Sequence, residues 1–106
     1  MRDEIINEIV SGLKLPAAIA QKLLNQYLET LPKDVARLKE SIVQGDFPAA
    51  AKIAHSIKGA SGNLRINKIF QLAGELEQVL KSAQAGNLGN VDVLVTELDA
   101  LMSKLV

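Results

Sequence analysis

Apolar residues recur at three- and four-residue spacing through nearly the whole chain, and that rhythm admits little except amphipathic helices. Ile5, Ile6, Ile9, Val10 and Leu13 mark a short first helix. Beyond Lys14, Pro16 suits a first helical turn, and Ala20, Leu23, Leu24, Tyr27, Leu28 and Leu31 form a stripe. The stripe keeps phase through Val35, Leu38 and Ile42 across Pro32, which points to one long kinked helix rather than two. Gly45-Asp46 ends that run, with Asp46 placed to cap the next helix and Pro48 in its first turn. A fourth helix is expected from about Asn67 to Ala85, with Ile69, Phe70, Ala73, Leu76, Val79, Leu80 and Ala83 on one side, stopping at Gly86-Asn87. A fifth starts near Asn90 and buries Val91, Leu94, Val95, Leu98, Leu101, Met102 and Leu105. No stretch alternates like a strand. Short connections imply antiparallel neighbours, so the expected fold is all-α: an up-down antiparallel four-helix bundle with a short additional N-terminal helix.

Composition fits one such domain over residues 1–106. Of the residues, 48% are apolar and 23% charged, which suits a chain able to bury a modest core. Twelve basic residues balance twelve acidic ones, leaving no overall bias toward nucleic acid or anionic membrane. The absence of cysteine excludes disulfides and thiolate metal sites and fits a reducing compartment. Every apolar stretch is broken by charge well short of the roughly 20 residues that span a bilayer. MRDEIINEIV carries acids where a signal peptide needs a basic start, so a cytoplasmic domain is expected. No exposed apolar stripe stands out as a dimer surface, which makes a monomer the expectation.

The third helix contains AHSIKGASGNL, residues 54–64, with the one histidine of the chain. On a wheel of about 100° per residue, Ile53, Ile57 and Leu64 fall opposite His55, with Ala50 and Ala60 beside them. Ala51, Lys52, Lys58, Gly59 and Gly62 lie within about 60° of the imidazole. That geometry places His55 at the centre of the solvent face. Glycine inside a helix costs roughly 1 kcal/mol relative to alanine. Gly59 and Gly62, one and two turns below the histidine, then read as positions kept bare for an approaching surface. The competing explanation is that one of them caps the helix end, but Leu64 keeps the core phase beyond both. Between Phe47 and Gly74 there are four basic residues (Lys52, Lys58, Arg65, Lys68) and no acid.

An imidazole in water is in large part neutral and nucleophilic near neutral pH. Ringed by cations, its natural adduct is an anionic phosphoryl group, which Lys58 one turn away would stabilise. A metal site does not fit, because there is no second histidine, no cysteine and no acid nearby in sequence. The chain also lacks a glycine-rich phosphate loop or a kinase signature, so no cofactor is expected. Donor, acceptor and most of the transition-state stabilisation must come from partner proteins.

These residues resemble the signature of histidine phosphotransfer (HPt) domains of bacterial phosphorelays, roughly H-x-(L/I)-K-G with a small, apolar tail. His55, Ile57, Lys58 and Gly59 match it, and Gly62 stands where many members have a small residue. The likeness extends to GDFPAA before the motif and to Leu76-Glu77 in the helix after it. It implies a four-helix bundle in which His55 is phosphorylated. It also implies docking by response-regulator receiver domains, or by a histidine kinase, on the face carrying Lys52, Gly59, Gly62 and Arg65. The receiver then supplies Mg²⁺ and the catalytic groups, and the domain is a carrier rather than an enzyme. The resemblance breaks at Arg65, where the family usually has a second glycine. On a continuing helix that position lies about 80° to one side of His55, where an arginine would either narrow the set of receivers that fit or add a salt bridge to an acidic one. HSIKG-like motifs occur also in the N-terminal domain of chemotaxis-type kinases, and an inert helical interaction module would share the shape.

Overall fold

The computed structural model describes residues 2–82 and 89–105. Five helices follow one another: α1 (Arg2–Gly12), α2 (Ala17–Val43), α3 (Phe47–Asn63), α4 (Asn67–Ser82) and α5 (Gly89–Leu105). Among the described residues there is no strand. The fold is an all-α bundle in which α3 packs most closely on α4, α2 lies against α3 and α5 against α4, and α1 touches α2 and α5. The expected end of the fourth helix at Ala85 and its Gly86-Asn87 stop lie outside the described residues. No described helix is long and apolar enough to cross a membrane.

Each helix boundary has a local cause. Pro16 stands one residue earlier than expected, just ahead of α2, and its carbonyl accepts from the amides of Ile19 and Ala20, both at 3.0 Å. α2 runs unbroken through Pro32, because only one ladder bond is lost and the buried stripe Leu24, Tyr27, Leu31, Val35, Leu38 stays in phase on both sides. The Asp46 carboxylate accepts from the Ala49 amide at 3.2 Å and caps α3. The core behind these elements is aliphatic, with Leu24, Leu38, Leu76, Leu80, Val91 and Leu98 almost fully enclosed. A polar contact crosses it between α2 and α3: the Tyr27 hydroxyl lies 2.7 Å from Ser61 Oγ. Burial pushes the Tyr27 phenol up to about 12, the Ser61 hydrogen bond pulling weakly the other way.

α2 and α3 end in the same way. After α2, the Asp46 amide bonds the Ser41 carbonyl (2.9 Å) and the Gly45 amide bonds Ile42 (3.0 Å). After α3, the Ile66 amide bonds Ser61 (2.9 Å) and the Arg65 amide bonds Gly62 (3.1 Å). Both are Schellman closures, whose pivot residue must take a left-handed backbone. The pivots are Gly45 at φ 76° and Arg65 at φ 58°. Gly59 and Gly62 therefore lie inside the helix, as read from the sequence, but α3 does not continue to Arg65. Arg65 sits in the conformation that glycine adopts without strain, which is a physical reason for a glycine there in related chains. Arg65→Gly is expected to raise stability by about 1 kcal/mol, read as a higher urea midpoint at unchanged slope.

Two core assignments change. Leu15, Ile19 and Leu23, spaced by four along the chain, are 46%, 51% and 41% exposed. The expectation that no apolar row lies open is therefore corrected. Ala20, Leu24, Tyr27 and Leu31 occupy the inner face of α2, and its apolar arc is wider than what its neighbours cover. On α3, Ala51 is buried while Ala60 is exposed and Ile53 only half-buried. The buried set Ala50, Ala51, Ala54, Ile57 and Ser61 centres about 110° from His55 rather than opposite it. α3 is rolled toward α4, on which it packs most closely, and the small side chains of Ala50, Ala51 and Ala54 are enclosed on that rolled face.

Candidate functional site

That roll decides where the histidine stands. His55 is not at the centre of the solvent face but on its border with α4, its side chain still 69% exposed. From α4, Glu77 reaches beneath it with only 6% of its side chain exposed, and Oε2 lies 2.9 Å from His55 Nδ1. The same carboxylate receives Lys81 Nζ at 3.0 Å on Oε2 and Lys58 Nζ at 4.0 Å on Oε1. The expectation of no acid around the imidazole is thus overturned. The acid is 22 residues downstream and invisible to local spacing.

Glu77 sets the state of the ring. The Lys81 ammonium, followed by His55, holds its carboxyl below the usual carboxylate range against the opposing effect of burial. An ionised carboxylate can only accept, so Nδ1 must carry the proton. The lone pair of the neutral imidazole is then on Nε2, which no group among the described residues hydrogen-bonds. Packing and electrostatics together leave an exposed imidazole of defined tautomer, braced from behind by a buried anion.

Of the expected cations, Lys52 and Lys58 stand by the histidine. Lys52 and Lys81 line an open groove beside it with Phe47, Pro48, Ala51 and Leu80. Lys68 does not join them; it lines the α4–α5 valley near Glu75 and Glu97. Arg65 lies past the end of α3 and has left its wheel. Lys81, unnoticed in the sequence, takes their place. Gly59 has open space around it, since a Cβ there would meet nothing within 4 Å. Gly62 differs: a Cβ would lie 3.1 Å from the Phe70 ring, so an internal contact accounts for it. Among the described residues no cluster of acids and histidine suits a metal ion.

The Hpt domain family model matches residues 22–106. The chain belongs to the Hpt family. A curated relative, "Phosphotransferase RcsD" of Escherichia coli (strain K12), is 26% identical over 80 residues, covering 76% of this chain and 9% of the relative. The chain therefore spans about a tenth of that protein's length. No solved structure matches it. Hpt domains serve histidine phosphotransfer in phosphorelays, and they carry phosphoryl groups rather than catalyse their turnover. Such domains interact with receiver domains and kinases.

Besides its place in the Leu76-Glu77 pair that resembles the family, Glu77 had a physical signal in the sequence of this Hpt domain. It falls four residues after Ala73 and eight after Ile69, on the flank of the buried stripe of α4. A charge at such a position needs partners on a neighbouring helix. Glu77→Gln keeps the shape and removes the anion. It is expected to lower the reactivity of the His55 ring toward a small phosphoryl donor such as phosphoramidate about 10- to 100-fold, the scale of losing a carboxylate that orients a histidine. The pH dependence has a definite sign. A depressed carboxyl contributes stability that is present above the ordinary glutamate range and lost as pH falls through the lower folded value. Urea unfolding of wild type and Glu77→Gln should therefore differ most near neutrality and converge in acid.

Proposed function

We propose that His55 is the phosphoryl-carrying residue, accepting from the aspartyl phosphate of a receiver domain and donating to the aspartate of another. Nε2 attacks phosphorus, the N–P bond forms, and the acyl O–P bond breaks to leave the receiver's carboxylate. Nδ1 keeps its proton throughout, and the positive charge that develops on the ring is met by Glu77. Lys58 offers its ammonium to the phosphoryl oxygens. Lys52, Gly59 and Arg65 flank the approach of the receiver, and Gly59 is the position whose bareness no internal contact explains. The single observation that carries this reading is the 2.9 Å Nδ1–carboxylate contact beneath a ring that is 69% exposed. It fixes a tautomer that presents Nε2 outward.

The test is to mix the protein with receiver domains bearing labelled aspartyl phosphate. Label should move to this chain as an adduct that is stable in base and labile in acid. Receivers that lose label only to water, across a panel of them, would overturn the proposal.

A further inference from the structure

Lys58 of α3 lies against three residues of α4, Gly74, Glu77 and Phe70. Its stem runs over Gly74, where a Cβ would lie 3.6 Å from Cδ and 3.7 Å from Cε. Its ammonium stands 4.0 Å from Glu77 Oε1 and 5.5 Å from the centroid of the Phe70 ring. Phe70 was expected in the core, yet it is 37% exposed. The bare backbone of Gly62 seats its edge. A large aromatic left half in water beside a cation has a use if the cation must be kept from collapsing onto a carboxylate.

We infer that Phe70 is a positioning residue for phosphotransfer: seated on Gly62, its ring face draws the Lys58 ammonium away from full ion pairing with Glu77 and keeps it available to the phosphoryl oxygens on His55. The inference rests on the proposed role of His55. Glu77 alone would attract Lys58, as it does Lys81 at 3.0 Å, and a lysine neutralised there would serve the phosphoryl group poorly. The ring competes through its quadrupole, at the cost of little desolvation. Gly62, read from the sequence as a bare docking position, thereby gains a reason inside the chain.

Phosphorylation of His55 by phosphoramidate, a small donor that needs no docking, isolates this effect from receiver recognition. Phe70→Leu is expected to slow it about threefold, and Phe70→Tyr, which keeps a π face, to restore it. In a Lys58→Ala background Phe70→Leu should add nothing, because the two residues act as one unit. Independent additive losses, or a Tyr variant as slow as Leu, would overturn the inference. The upfield ring-current shift of the Lys58 ε-methylene protons gives a readout free of phosphorylation. It should be present in wild type and Phe70→Tyr and absent in Phe70→Leu; its absence from wild type would overturn the inference too. A clear ring-current shift with no phosphorylation of wild type by any donor would instead defeat the assignment of His55.

Discussion

His55→Gln is expected to reduce label received from a phosphorylated receiver domain to background, a loss of at least about 100-fold. Glutamine has nearly the reach of histidine, and its amide can donate to the Glu77 carboxylate in place of Nδ1. It offers no nitrogen lone pair able to bond phosphorus. Because the replaced ring is 69% exposed, its removal should change stability by less than about 1 kcal/mol. Matching circular dichroism and urea midpoints would therefore tie the lost label to chemistry rather than to unfolding. A variant labelled as well as wild type would mean that another side chain carries the phosphoryl group.

Leu76→Ala should produce the largest loss of stability, about 2–5 kcal/mol. Leu76 has no exposed surface and is the residue before Glu77 on α4. Removing its branch leaves a void that neighbours already packed on every side cannot close. A domain of this size has roughly 5–15 kcal/mol in hand, so a large fraction of its stability would go. Thermal unfolding should drop by roughly 10 °C or more. Leu23→Ala on α2 is the matched control. Its side chain is 41% exposed, and the same atoms removed there should cost less than about 1 kcal/mol. Equal losses at the two positions would contradict the burial pattern.

The two leucines illustrate how far a helical wheel can be read. Both belong to the α2 and α4 apolar rows, and periodicity alone ranks them together. Which of them is enclosed depends on whether a neighbouring helix covers that part of the arc. On α3 the same ambiguity displaced the buried face from its expected pole. Alanines at 50, 51, 54 and 60 look interchangeable in sequence, yet the first three are buried and Ala60 is exposed. Arg65 was misplaced for another reason: the phase of Leu64 persists through the helix cap, so periodicity did not register where the ladder ends. The turn is visible in its hydrogen bonds and in the positive φ of Arg65. By contrast, the capping by Asp46 and the continuity of α2 through Pro32 follow from local chemistry and were legible residue by residue.

The linear order of residues determined five amphipathic helices, their starts, and a histidine pointing outward with Lys58 one turn away, because each depends on neighbours within a few positions along the chain. Only the tertiary structure decided that the ring would stand over Glu77, with Phe70 holding the lysine. Those partners lie on another helix, and the rotation of one helix about its axis against the next is set by how their side chains interlock. Periodicity describes each helix in its own frame; packing brings the frames together.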